Sequence, residues 1–294
     1  MKSKLFGILL IGLISGACAP LARMLNYSPS AKVKKISFSD DALNPKYTFF
    51  YSDTLNNSYL RELRQSYEID RLAASYDSEI DKIKAVLNWS ATQWEHNGSN
   101  SPSNPDALTI LKEARNGRQF RCVEYGILAS SCLNSIGIPA RVLGLKTRDV
   151  EKVRMGAGHV VTEAYSQQYN KWIFMDPQMN MMPLLHGIPL NAVEFQEAII
   201  SNRESIEMVN MDGNVSPEDS QAYIDWIGKY LFYFDVLFDQ QIKHETDYKS
   251  IDGKTKLMLV PLGEKEPTVF QRSNKINYCF YTHSLKDFYQ KPKV

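Results

Sequence analysis

The stretch from Cys122 to Asp176 constrains this chain's fold more than any other. Cys122 to Ile136 carries a helical pattern that is closed by Gly137 and Pro139. A glycine just past the last turn supplies the left-handed residue that ends a helix, and a proline soon after cannot continue one. From Ala140 the period changes to that of a strand, Arg141-Val-Leu-Gly-Leu145. A glycine-rich loop, Met155 to Gly158, then leads to a second apolar run, His159 to Tyr165. A polar turn, Ser166 to Asn170, separates that run from Lys171-Trp-Ile-Phe-Met-Asp176. β-branched and aromatic runs on either side of a short polar turn predict a hairpin.

Three residues in this stretch can do chemistry together. Cys122 falls in the first turn of the predicted helix, where unpaired N–H groups and the helix dipole favour an anion. That environment populates the thiolate, the nucleophilic form of cysteine, and the same N–H groups can stabilise an oxyanion. A hairpin turn centred between Gln167 and Gln168 places His159 directly opposite Asp176. Directly opposed residues have Cβ atoms about 4.5–5.5 Å apart, close enough for a carboxylate to orient an imidazole. A one-residue slip of register would undo the pairing. A thiol beside a base that is oriented by a carboxylate is the arrangement that acyl transfer through a thioester requires.

The segment Cys122-Val-Glu-Tyr-Gly126 with Leu133-Asn-Ser-Ile-Gly-Ile-Pro-Ala-Arg141 resembles the core motif of the transglutaminase-like superfamily. His159 with its apolar–acidic strand, and Trp172-Ile-Phe-Met-Asp176-Pro177, are similar to that family's other two segments. The resemblance spans roughly residues 78–180. It implies an α+β, papain-like fold, in which a helix bearing Cys122 packs on an antiparallel sheet bearing His159 and Asp176. It also implies a Cys–His–Asp triad acting on peptide or protein substrates, with no cofactor. Two positions depart from the family pattern: Phe120 stands where glycine is common, and Val160 and Val161 follow the histidine. Gln119, just before the nucleophile segment, is a candidate oxyanion donor.

The flanks read as follows. Lys2 and Lys4 precede about ten apolar residues, Leu5 to Ile14, too few to span a bilayer, and Ser15-Gly16-Ala17 lead to Cys18. This is a signal peptide, residues 1–17, ending either at a lipobox that would lipidate Cys18 or at an A-x-A-like site. Cleavage removes two lysines and takes the formal charge from +1 to −1. The expectation is an exported protein, held at the membrane by a lipid on Cys18. Residues 18–45 lack periodicity and read as a tether. Residues 46–240 read as the catalytic domain, and 241–294 as a C-terminal β extension, an extra sheet packed on it.

Within the domain, Ser78-Glu79-Ile80-Asp81 marks a helix start. A second helix is expected over Asp106–Arg115, and a third near Ala192–Asn202. A fourth begins at Ser216-Pro217 and continues into the aromatic stretch Trp226 to Phe238. Trp89 and Trp94 read as core. Met175, Met179, Met181 and Met182 read as loop packing, and the run Tyr230 to Phe234 as buried core. Cys122 and Cys132 on one helix lie roughly 15 Å apart along its axis, too far for a disulfide. A Cys132–Cys279 bridge and two inert buried thiols both stay open.

A net charge of +1 without a basic field excludes nucleic acid as a partner. His186 and His244 lack ligand spacing, so no metal site is expected. The residues support an exported cysteine-nucleophile acyl-transfer enzyme, whose peptide or protein substrate would be wall- or glycan-linked. Two alternatives are a non-catalytic surface module that binds peptide, glycan or wall polymer, and a structural lipoprotein.

Overall fold

A computed structural model describes residues 33–54, 56–243 and 248–293. The signal segment, Cys18 and His244 lie outside the described residues. The described helices are α1 (Ser58–Ser66), α2 (Ile69–Ala74), α3 (Glu79–Ala91), α4 (Ala107–Arg115), α5 (Cys122–Ser135), α6 (Ala192–Ser201), α7 (Pro217–Gly228) and α8 (Leu285–Phe288). Their starts follow local chemistry. The Ser78 hydroxyl accepts the Asp81 N–H, Asp106 accepts that of Thr109, and Ser216 accepts that of Asp219. α5 ends where the glycine signal puts it, with Gly137 at φ +82°. No described helix is long and apolar enough to cross a membrane.

A six-stranded sheet lies at the centre: β1 (Ala140–Lys146), β2 (Gly158–Ser166), β3 (Lys171–Met175), β4 (Tyr233–Leu237), β5 (Lys256–Leu259) and β6 (Cys279–Thr282). Its spatial order is β6-β5-β4-β1-β2-β3, antiparallel except for the parallel β5–β6 pair. The fold is α+β. One face of the sheet carries a core shared with α1 to α5, built from residues such as Leu63, Val86, Leu128, Leu133 and Ile173. A second core joins Leu143, Val161 and Phe174 to Phe195, Tyr223 and Ile227 of α6 and α7.

Three sequence expectations are corrected. The aromatic stretch beyond Trp226 is not helical: α7 stops at Gly228, and Tyr233–Leu237 form β4, which pairs with both β1 and β5. Residues 256–259 and 279–282 extend the central sheet and make no second one. Residues 33–45 pack on the body: Ser39 donates its N–H to the His283 carbonyl (2.8 Å) and accepts from Leu285 (3.0 Å), while Val33, Ile36 and Phe38 lie against the second core. An extended strap leaves no periodic signature in sequence, which is why it reads as a tether.

The chain after Pro177 is more ordered than a loop. Met182–Leu185 pairs with Ile188–Pro189 and with Ile206–Asn210 in a small antiparallel sheet. Met175, Met181 and Met182 are buried in the cores, as loop packing requires. Cys122, Cys132 and Cys279 are all free thiols; Cys132 and Cys279 are buried in different clusters, and burial raises the pKa of each.

Candidate active site

Cys122 opens α5, and Gly126, one turn later, decides how closely that helix meets the sheet. A Cβ at Gly126 would stand 3.0 Å from Val160 Cγ1 and 3.3 Å from the Val161 carbonyl oxygen. With hydrogen there instead, the helix lies directly on β2, and the Thr162 hydroxyl reaches the Gly126 carbonyl (3.3 Å). The helix N-terminus therefore sits over the start of β2, where His159 projects.

The hairpin register differs from the expected one. Thr162 faces Met175 and Tyr165 faces Trp172, so the pairing is shifted by two residues. Asp176 then falls diagonally from His159 and not directly across. A shift of two keeps both side chains on the same face, whereas a shift of one would have separated them. Diagonal neighbours are further apart, but still within reach of long side chains. His159 Nε2 and Asp176 Oδ2 are 2.7 Å apart, and both residues are buried.

A turn holds the aspartate in place. Asp176 exchanges backbone hydrogen bonds with Met181 (2.8 and 3.2 Å), and its Oδ1 accepts the N–H groups of Gln178 (3.0 Å) and Met179 (3.2 Å). Those two donors fix one oxygen and aim the other at the imidazole. The Tyr223 hydroxyl also donates to Oδ2, at 3.0 Å. Burial first, and then the Asp176 charge, push the Tyr223 pKa far above its ordinary value, so it remains a donor.

Cys122 lies close enough to the His159 ring to act on its charge. Because Asp176 occupies Nε2, Nδ1 is the nitrogen left to face the thiol. Burial favours the neutral ring, but the Asp176 charge and hydrogen bond, together with Cys122, outweigh it and raise the His159 pKa to about 10. The structure thus brings Cys122, His159 and Asp176 together, with His159 hydrogen-bonded to Asp176. Cys122 is half-buried and so open to a reagent from one side. Arg121, next to it, is clamped by the buried Glu124: its Nη2 lies 2.6 Å from Glu124 Oε1, and its backbone N–H donates to Oε2 (3.1 Å).

The Gln119 amide donates to Glu95 at 3.2 Å, and its carbonyl accepts from Asn100 at 3.0 Å. The second bond comes from the polar loop 96–104, which is laced to the segment entering α5; Asn97 N–H donates to the Phe120 carbonyl (2.8 Å). Trp94 is wedged between Phe120 and Tyr125, with ring centroids 5.5 and 4.4 Å away, and forms part of the core beneath α5.

Sequence reasoning missed two contributors. From α7, Trp226 sits edge-on to the His159 ring (4.8 Å between centroids) and Tyr230 lies 5.8 Å from it. With Tyr223, these form an i, i+3, i+7 stripe. That spacing is legible as one helix face, but what it faces is not. His96 is the other: it is exposed, and desolvation, then the charge of His159, lower its pKa against the pull of Asp176, so it feels the field of the site.

Comparison with known proteins bears on the same segment. Residues 69–177 match the family model for the transglutaminase-like superfamily. Among solved structures, the chain is similar to a candidate cysteine protease from Cytophaga hutchinsonii, with 15% identity, 46% of this chain and 48% of that one covered, and a TM-score of 0.33. It is also similar to a TGase at 21% identity (42% and 31% covered, TM-score 0.29) and to red sea bream transglutaminase at 14% (63% and 44% covered, TM-score 0.29). In each case the match spans less than half of the solved chain. No curated protein matches. The segment that carries Cys122, His159 and Asp176 is a transglutaminase-like superfamily domain.

Proposed function

We propose that this chain is a cysteine-nucleophile acyl-transfer enzyme acting on amide groups of peptide or protein substrates. The observation that carries the reading is the buried His159, hydrogen-bonded to Asp176 through Nε2 and acted on by the neighbouring Cys122. The proton shared by the pair rests on His159 Nδ1, and the Cys122 sulfur attacks the amide carbonyl carbon. The oxyanion that forms faces the unpaired N–H groups of the first turn of α5. Gln119 would join them only by leaving Glu95. The imidazolium returns its proton to the leaving amine, the C–N bond breaks, and a thioester remains on Cys122. Water resolves it as hydrolysis, or a second amine as cross-linking. Asp176 keeps the ring oriented and offsets its charge, while Tyr223 and the two backbone donors keep Asp176 in place.

The proposal extends to location. The chain is exported, with residues 1–17 removed and Cys18 lipidated, and its substrates lie at the cell surface, wall- or glycan-linked chains among them. The Lys-flanked apolar segment before Cys18 supports this, and mass spectrometry of the mature N-terminus tests it. The chemistry is tested by incubating the protein with a glutamine-containing peptide, quenching in acid and searching for an acyl adduct on Cys122. A thioester in the wild type that is absent from Cys122→Ala supports the reading; no adduct in either, with no amine released, defeats it.

A further inference from the structure

A groove of about 770 Å³ opens beside the thiol site, between the β1–β2 connection and the end of α7. That volume is within the range of about 300–1,000 Å³ usual for ligand sites. Its walls adjoin the residues around His159. Lys229 and Leu231 line it on either side of Tyr230, the residue that contacts the His159 ring, and Gly156 lines it three residues before His159.

The charges of the groove are uneven. Among the described residues the lining contributes five cations, Lys34, Arg148, Lys152, Lys229 and Lys265, against three acids, Asp149, Glu151 and Glu264, a net charge of +2. Two of the acids are already committed. Glu264 is paired with Lys34 and lies 3.5 Å from Arg148, and Glu151 is paired with Lys265 (2.6 Å) and bonded to Thr268. Asp149 accepts the Thr147 hydroxyl (2.7 Å). Lys152 and Lys229 have no ion pair among the described residues. Lys229 is exposed and lays its ammonium over the Tyr230 ring, 4.7 Å from its centroid; desolvation there lowers its pKa against the pull of Asp149. An exposed cation with no ion pair of its own can pair with an anion delivered to it.

We propose that this groove receives the polypeptide whose amide Cys122 attacks, and that it selects segments bearing carboxylates, with Lys229 nearest the thiol and Lys152 further out. This rests on the cysteine reading above, so the test separates the two. The full chain carrying Cys122→Ala is titrated into three fluorescein-labelled dodecapeptides: one rich in Glu, one neutral in Gln and Ser, and one rich in Lys. Alkylation of the wild-type thiol is measured separately. The Glu-rich peptide is expected to bind tightest, and to weaken as salt is raised. Adding Lys152→Glu and Lys229→Glu is expected to weaken it about ten-fold or more and to shift preference to the Lys-rich peptide, since each exposed charge pair is worth up to about five-fold and reversal adds repulsion. A Lys152→Gln, Lys229→Gln variant should fall between the two, which guards against a folding defect. Equal binding of all three peptides, or a Glu-rich affinity unmoved within two-fold by the double reversal, overturns the groove assignment even if Cys122 is reactive. Charge-selective binding with an inert Cys122 overturns the assignment of this groove to an attacked chain, along with the enzymatic reading itself.

Discussion

Asp176→Asn removes a charge and almost no volume, so its effect can be worked from the hydrogen bonds. The new amide oxygen can keep the Gln178 and Met179 N–H donors that Oδ1 holds now. The NH₂ group then faces His159 Nε2 and the Tyr223 hydroxyl, which at present both share Oδ2. A protonated ring cannot bond to an NH₂ donor, whereas a neutral ring with its lone pair on Nε2 can. With the carboxylate charge gone, burial, which already favours the neutral ring, has less to oppose it. The His159 pKa should fall from about 10 to below its ordinary 6.5. At about 1.36 kcal/mol per unit, this is on the order of 5 kcal/mol in the hold on that proton. NMR of the ring nitrogens across pH 5–10 reads it directly. The wild type should remain an imidazolium through pH 8, and the variant should be neutral by pH 7. A variant ring still protonated at pH 8 would refute the claim that Asp176 holds the charge.

Two more outcomes follow from the same coordinates. Gly144→Ala would put a Cβ 2.7 Å from Asp235 Oδ2, and Asp235 cannot yield because Lys146 and Lys256 both hold it; overpacking of this kind costs about 3 kcal/mol, a fall of about 6–12 °C in the thermal midpoint of a scanning melt. His159 holds its proton more tightly folded than unfolded, so the stability it contributes is complete below pH 6.5 and lost as pH rises through about 10; the gap in urea unfolding free energy between wild type and His159→Gln should close across that window, and a constant gap would count against it.

What could be read from sequence follows the range of the interactions involved. The ends of α5 are local chemistry, and Gly137 and Pro139 state them outright. The hairpin was visible too, but its register was not. Its four-residue turn, 167–170, is shaped by Glu79, far away in sequence, whose carboxylate accepts the Ser166 hydroxyl and the N–H groups of Gln167 (3.0 Å) and Gln168 (3.3 Å). Asn170 adds a left-handed residue at φ +51°. A turn set by a distant carboxylate is not encoded in the turn, yet alternation along the strands keeps the parity of His159 and Asp176. Membership of β4, β5 and β6 in the central sheet was hidden for a similar reason, because strand partners are chosen by packing and not by the strand. Tyr223 and Trp226 announced a helix face, and only the fold shows it closing over His159.

The central claim is that His159, oriented by Asp176, serves the Cys122 thiol. The most direct measurement is the second-order rate of Cys122 alkylation by iodoacetamide between pH 5 and 9, in the wild type and in His159→Ala. An unassisted thiol is only about 0.3% ionised at pH 6, given an ordinary value of about 8.5. The account predicts a wild-type rate well above the variant's at pH 6, with the variant's rate rising ten-fold per unit as an ordinary thiol's does. Two superimposable profiles, both climbing toward pH 8.5, would contradict it.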